Sequence, residues 1–358
     1  MARFLRSLSP VLLAGLAGCA ATTAPAPPPE ERLAVLNAGD GSLSLVPVDP
    51  GQLVRRILLP TTTAGPADIS ARGATAVIAA EGSDEVVVVD LRSEVIRRSV
   101  ALEPGSRPVA VLMISDNVAY SANAGTNTVT RIDVSTGDTA SVAVGVFPRG
   151  LVLTRGRLFV VNANVEDCET GLCGLGPGWV SVLDPQTNQL AGGRDSIPLP
   201  NQGNPRSTTL GGDGLIYVVS TGDAETDTDG RLTIIDPVTR AEVGNFGGFG
   251  LVPASVASDG FERLFVTSVA DGLMEFNTRT RRVVRGAGQG IFVRENVAVA
   301  VDSRGSIYAI EGGDCALSAP GRLRIFRPDL TEARNLVLGI CPTAAAFALL
   351  PGIPVTED

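Results

Sequence analysis

Three sets of residues carry side chains and spacings that could do chemistry. Glu225, Asp227 and Asp229 alternate with Ala or Thr, run into Gly230, and are followed after five residues by Asp236. This follows the calcium-loop spacing in which alternate oxygen side chains converge around a glycine turn. Glu225 stands in the place of the first Asp and Asp236 in the place of the final Glu, so the segment is a candidate calcium site set against a plain solvated acidic loop. A second set gathers beside prolines: Asp68, Glu81, Asn123, Asn162 and Glu311 could form a ring of oxygens, and Arg107, Arg149 and Arg206 could fork onto carboxylate or phosphate. The third set is Cys168, Cys173, Cys315 and Cys341, an even number once Cys19 is set aside, with three possible pairings. Cys168 and Cys173 are close enough in sequence for a tight local bond.

What is missing is equally informative. The sequence has no His, and all 29 of its basic residues are Arg. Ser/His/Asp and Cys/His nucleophile systems, His-ligated zinc and haem, and lysine Schiff bases are therefore excluded. A formal net charge of −9 argues against a nucleic-acid partner, which needs a basic face.

The first eighteen residues read as a signal peptide: Arg3 and Arg6, the apolar run Leu8 to Leu16, then Leu16-Ala17-Gly18-Cys19. Small residues ending in Cys resemble the bacterial lipobox, which implies that Cys19 is lipidated and becomes the N-terminus. Residues 19–31 are rich in Pro and Ala, including Pro27-Pro28-Pro29, and form an extended tether of ~3 Å per residue. Ala20 and Ala21, with no Asp after the cysteine, resemble outer-membrane sorting, so the expected location is the outer membrane, facing the periplasm. Asn335 to Thr356 is uncharged over 22 residues, but Pro342, Pro351 and Pro354 make strands and turns a better reading than a membrane span.

The elements that must position these residues emerge from self-similarity. Pro66, Pro108, Pro205 and Pro253 are each followed twelve residues later by Ile78, Tyr120, Tyr217 and Phe265, and Pro148 after eleven by Phe159. Three residues further stand Glu81, Asn123, Ser220, Ser268 and Asn162; Tyr308 with Glu311 repeats the second half of the pattern. A second alternating strand then ends at Asp90, Asp133, Asp184, Asp236 or Asn277, at intervals of 43, 51, 52 and 41 residues. Short period-2 strands repeating every 40 to 50 residues predict an all-β, seven-bladed β-propeller of four-stranded antiparallel blades across residues 32–351, with residues 352–358 as a tail. Blade one is split: Thr343 to Phe347 supplies the innermost strand that Leu33 to Asn37 lacks, so the C-terminal strand is expected to close the ring on the N-terminal blade.

At Val118-Ala-Tyr120-Ser-Ala-Asn123, Leu158-Phe159-Val-Val-Asn162, Asp133-Val-Ser-Thr-Gly137 and Asp184-Pro-Gln-Thr187 the chain resembles the YVTN-type, lactonase-like propeller repeat family. Blades three to five match well and the others depart from the pattern. The resemblance implies the fold; family members include binding, surface-associated and enzymatic proteins. The oxygen ring resembles the calcium centre of gluconolactonase-like propellers, where calcium polarises a lactone carbonyl.

Residues just after each proline and those fifteen further on should share one face, and every long insertion lies there: Asn164 to Pro177, Thr221 to Asp229 and Gly312 to Pro320. Cys315 and Cys341 meet on this face too. The expected function is a lipid-anchored, non-enzymatic module that binds a protein, peptide or envelope ligand through the insertion face. A calcium-dependent hydrolase at the channel mouth is the alternative.

Overall fold

The computed structural model describes residues 27–169, 171–222 and 230–352. They form seven antiparallel blades around an axis, each built on four strands, with Ser196–Gly203 as a fifth strand on blade four, joined by turns and a single 3-10 turn at Glu81–Ser83. Blade three is representative, with Pro108–Met113 innermost, then Val118–Asn123, Thr128–Asp133 and Thr139–Ala143. Pro66–Arg72, Pro148–Thr154, Pro205–Leu210, Pro253–Ser258 and Asn296–Val301 are the innermost strands of blades two, four, five, six and seven. Blade one closes as the sequence predicts: Pro342–Leu350 is its innermost strand and pairs antiparallel with Glu30–Asn37, Pro342 opposite Asn37 and Phe347 opposite Leu33. The closure leaves no innermost strand unpaired. The uncharged C-terminal stretch is thus sheet, and no described helix is long and apolar enough to cross a membrane.

The core is a set of seams between neighbouring blades. One cluster joins blades one and two through Leu36, Leu43, Ile78 and Val87; another joins seven and one through Leu33, Val35, Tyr308 and Ile310. The residues eleven or twelve after each proline, among them Tyr120, Phe159, Tyr217 and Phe265, are buried there. Burying each such side chain contributes about 1.5–3 kcal/mol. The glycine opening a third strand belongs to the same joint. A Cβ on Gly178, Gly230 or Gly321 would lie 2.4–2.5 Å from the proline ring of the next blade, Pro205, Pro253 or Pro342. At these three joints the proline of one blade seats against the glycine of its neighbour.

The repeat acids are turn formers. Asp90, Asp133, Asp184 and Asp236 each accept backbone N–H groups two or three residues on, and Asn277 does so through Thr280. These turns lie at the face opposite the insertions.

Candidate functional site

The rim of the insertion face is built by a backbone device repeated seven times. The residue preceding each innermost strand, Gly65, Arg107, Phe147, Asn204, Val252, Glu295 or Cys341, has φ between +46° and +55°. Six are not glycine, and left-handed backbone costs such residues roughly 1–2 kcal/mol. Hydrogen bonding offsets this: the carbonyls of Gly65, Arg107, Phe147, Asn204, Glu295 and Cys341 accept the N–H of Glu81, Ala124, Ala163, Thr221, Gly312 and Ala38. Immediately after this residue each innermost strand bulges. The register skips Ala67, Val109, Arg149, Arg206, Val297 and Thr343 in blades two, three, four, five, seven and one, and both Ala254 and Ser255 in blade six. A bulge re-aims a side chain out of the pleat. Here it turns these residues into an axial cavity of about 770 Å³ that they line together.

The cavity wall is chemically lopsided. On one side stand Asp68 and Glu81 of blade two, Arg149 of blade four and Arg206 of blade five. Glu81 lies 2.9 Å from Arg107, which also pairs with Asp167 of the blade-four insertion, and these two carboxylates hold the Arg107 guanidinium above its ordinary range. Arg107 and Arg149 each sit 5.7 Å from the centre of the Phe147 ring. Arg149 donates to the Asn204 amide oxygen at 3.1 Å, yet no carboxylate among the described residues pairs with it. Burial, with the charge of Arg206 acting in the same direction, pushes Arg149 down to about 10 against the opposing pull of Glu81. Arg206 has no hydrogen-bond or ion-pair partner among the described residues, and burial lowers it as well. Asp68 accepts the N–H of Val111 at 2.9 Å, and burial pushes it up to about 6 in spite of that bond. Across the cavity, blades six, seven and one present Ala254, Ser255, Val297, Val299, Ala344 and Ala345.

The oxygen ring expected from the sequence is not assembled. Asn123 and Asn162 are 0% exposed and turn into their blades. Asn123 donates to Thr128 and Thr130 at 3.0 and 2.7 Å. Asn162 accepts the N–H of Gly145 at 3.0 Å and donates to the Trp179 carbonyl and the Ser181 hydroxyl. Asn37 does the same work in blade one, accepting the N–H of Gly339. The repeated asparagine ties the end of a second strand to the chain around it, so its recurrence reflects the scaffold. Glu311 faces a separate cavity of about 130 Å³ with Arg294, Glu295 and Arg322, and lies 3.7 Å from Arg324. Asp68, Glu81, Arg149 and Arg206 are the expected residues that do line the axial cavity, with Arg107 behind Glu81.

Of the calcium-loop residues, Glu225, Asp227 and Asp229 lie outside the described residues. Asp236 does not join them. The strand Arg231–Asp236 runs away from Gly230, and at ~3.3 Å per residue it carries Asp236 roughly 20 Å to the other face. There the N–H of Val238 holds its carboxyl below the usual range.

Both expected disulfides are present. Cys168–Cys173 staples the hairpin of Val165–Cys168 and Gly171–Gly174 within the blade-four insertion, with Cα atoms 5.9 Å apart. Cys315–Cys341 joins the blade-seven insertion to the residue before the closing strand, Cα atoms 5.0 Å apart, and both cysteines line the axial cavity. Cys19 lies outside the described residues.

No family model and no curated protein sequence matches the chain. Among solved structures it is similar to a hydrazine synthase of Kuenenia stuttgartiensis, with a TM-score of 0.62 and 16% identity over 83% of this chain and 92% of that one. It is also similar to a streptogramin B lyase, with a TM-score of 0.61 and 14% identity over 89% and 95%. At these identities the likeness is one of fold.

Proposed function

We propose that the protein is an exported, lipid-anchored binding module, related to the YVTN-type propellers, whose ligand enters the axial cavity from the face carrying the insertions. The observation that carries this reading is the pair Arg149 and Arg206, turned by strand bulges into the cavity and left without an acidic partner among the described residues. Buried charges are ordinarily paired. Two cations held this way make a receptive site for a ligand supplied from outside. A calcium ion at the mouth would face both guanidinium groups without the two buried asparagines as ligands, so a calcium-dependent lactonase is the weaker reading there. Calcium in the loop of Glu225, Asp227 and Asp229 remains a separate structural proposal. Both solved-structure neighbours carry enzyme names, but fold alone does not transfer an activity.

The disulfides fit an oxidising compartment, and lipidated Cys19 with the tether of residues 19–31 would hold the propeller off the outer membrane, facing the periplasm. Thermal unfolding tests the binding reading. The full chain is melted with EDTA, with millimolar calcium, and with an extract of the producing cell's envelope. The extract is expected to raise the melting temperature of wild type and not of Ala254→Trp, which fills the cavity. Calcium-dependent turnover of a lactone panel, abolished by EDTA, would overturn the proposal. Palmitate labelling lost in Cys19→Ser tests the anchor.

A further inference from the structure

Resting on the reading of the axial cavity as the binding site, the lining gives the chemical class of its occupant. Arg149 and Arg206 come from adjacent blades and act on each other as like charges, offset at Arg149 by the Asn204 amide oxygen that accepts from it and by the pull of Glu81. Two guanidinium forks converging without acids match an oxyanion, which accepts several parallel N–H bonds at once. Carboxylates place limits on where that oxyanion sits. Asp68 and Glu81 stand in blade two, Glu81 already engaged by Arg107, and Glu295 stands on the blade-seven rim beside Arg294. Among the described residues, the wall of blades four and five carries the two cations and no carboxylate. The opposite wall carries no cation among the described residues: Ala254, Val297, Val299, Ala344 and Ala345 line it with the hydroxyls of Ser255 and Thr343, and Val269, 47% exposed, extends it to the rim. A cavity of about 770 Å³ is the size that accepts a small organic molecule.

We infer that the axial cavity binds an amphipathic anion, its carboxylate or phosphate head on Arg149 and Arg206 and its apolar body along blades six, seven and one. Isothermal titration calorimetry on the full chain tests both halves, using octanoate, octyl phosphate, acetate, inorganic phosphate and octan-1-ol as probes. Octanoate or octyl phosphate is expected to bind at least tenfold more tightly than acetate or inorganic phosphate, and the tighter of the two identifies the head group. Arg206→Gln is expected to weaken that binding at least tenfold without lowering the unfolding midpoint, because Arg206 has no partner to lose among the described residues. Arg149→Gln is the second variant, read the same way.

Acetate or phosphate binding as tightly as the octyl probes would overturn the apolar half. Octan-1-ol binding as tightly, with no effect of either substitution, would overturn the anionic half. Both results would still leave the cavity as a ligand site. If no probe binds while the envelope extract still stabilises wild type and not Ala254→Trp, the ligand class is wrong and the site reading stands. If neither probe nor extract has any effect, both fail.

Discussion

Asp68 carries the clearest pH signature in the molecule. Its carboxyl is raised to about 6 from an ordinary value of 3.8 because burial outweighs the N–H bonds from Val111 and Ile69. The folded state therefore holds this proton more tightly than the unfolded chain does. Stability is greatest, as far as Asp68 is concerned, below pH 4; it falls as pH rises to 6, and above that the ionised carboxylate is a full penalty. Asp68→Asn keeps an oxygen for the Val111 N–H and removes the charge. It is expected to stabilise the protein by about 1–3 kcal/mol at pH 7.5 and by nothing at pH 4, measured by urea unfolding at both pH values. A uniform change at both would place the effect in packing. The sequence marked Asp68 as an oxygen near the mouth, and Arg149 and Arg206 as potential anion forks. It could not separate Glu81 from Asn123 and Asn162, because the same repeat position serves a cavity group in one blade and a buried stitch in another.

The innermost strands and their closures decide which of these residues reach the axis. Alternation and the proline interval were legible in sequence because they reflect the two-residue pleat and the blade-to-blade seat of Pro on Gly. The bulge after each proline was not legible. It follows from the left-handed rim residue before it, and those residues share no side-chain type: Arg107, Phe147, Asn204, Val252, Glu295 and Cys341 all adopt it. The calcium-loop spacing that makes Asp236 a candidate conflicts with the alternation that also ends a strand at Asp236, and it is the strand Arg231–Asp236 that decides, carrying Asp236 away from Gly230 to the other face. Among these elements the closing strand depends most on one covalent bond. Cys315 and Cys341 enclose a loop of 26 residues, for which loss of chain restriction costs about 3.5 kcal/mol. Cys315→Ser/Cys341→Ser is expected to lower the unfolding midpoint by about that amount. The Cys168→Ser/Cys173→Ser pair, separated by 5 residues at the tip of an insertion, is expected to cost less. Equal costs would show that ring closure does not rely on the bond.

At the scale of the whole molecule, seven seams of apolar side chains make a rigid ring whose two faces differ. The repeat turns with their aspartates occupy one; the insertions, both disulfides and the axial cavity share the other. Fold and ring closure were readable because they rest on repetition, whereas the site departs from repetition and is made by single residues at equivalent positions. That division of labour suits the proposed scaffold with one binding face. The most direct measurement is native mass spectrometry of the protein after exposure to an envelope extract and buffer exchange. Wild type is expected to retain a bound species of defined mass that Ala254→Trp and Arg206→Gln do not. A wild-type protein that emerges at its bare mass, or variants that retain the same species, would contradict a ligand site in the axial cavity.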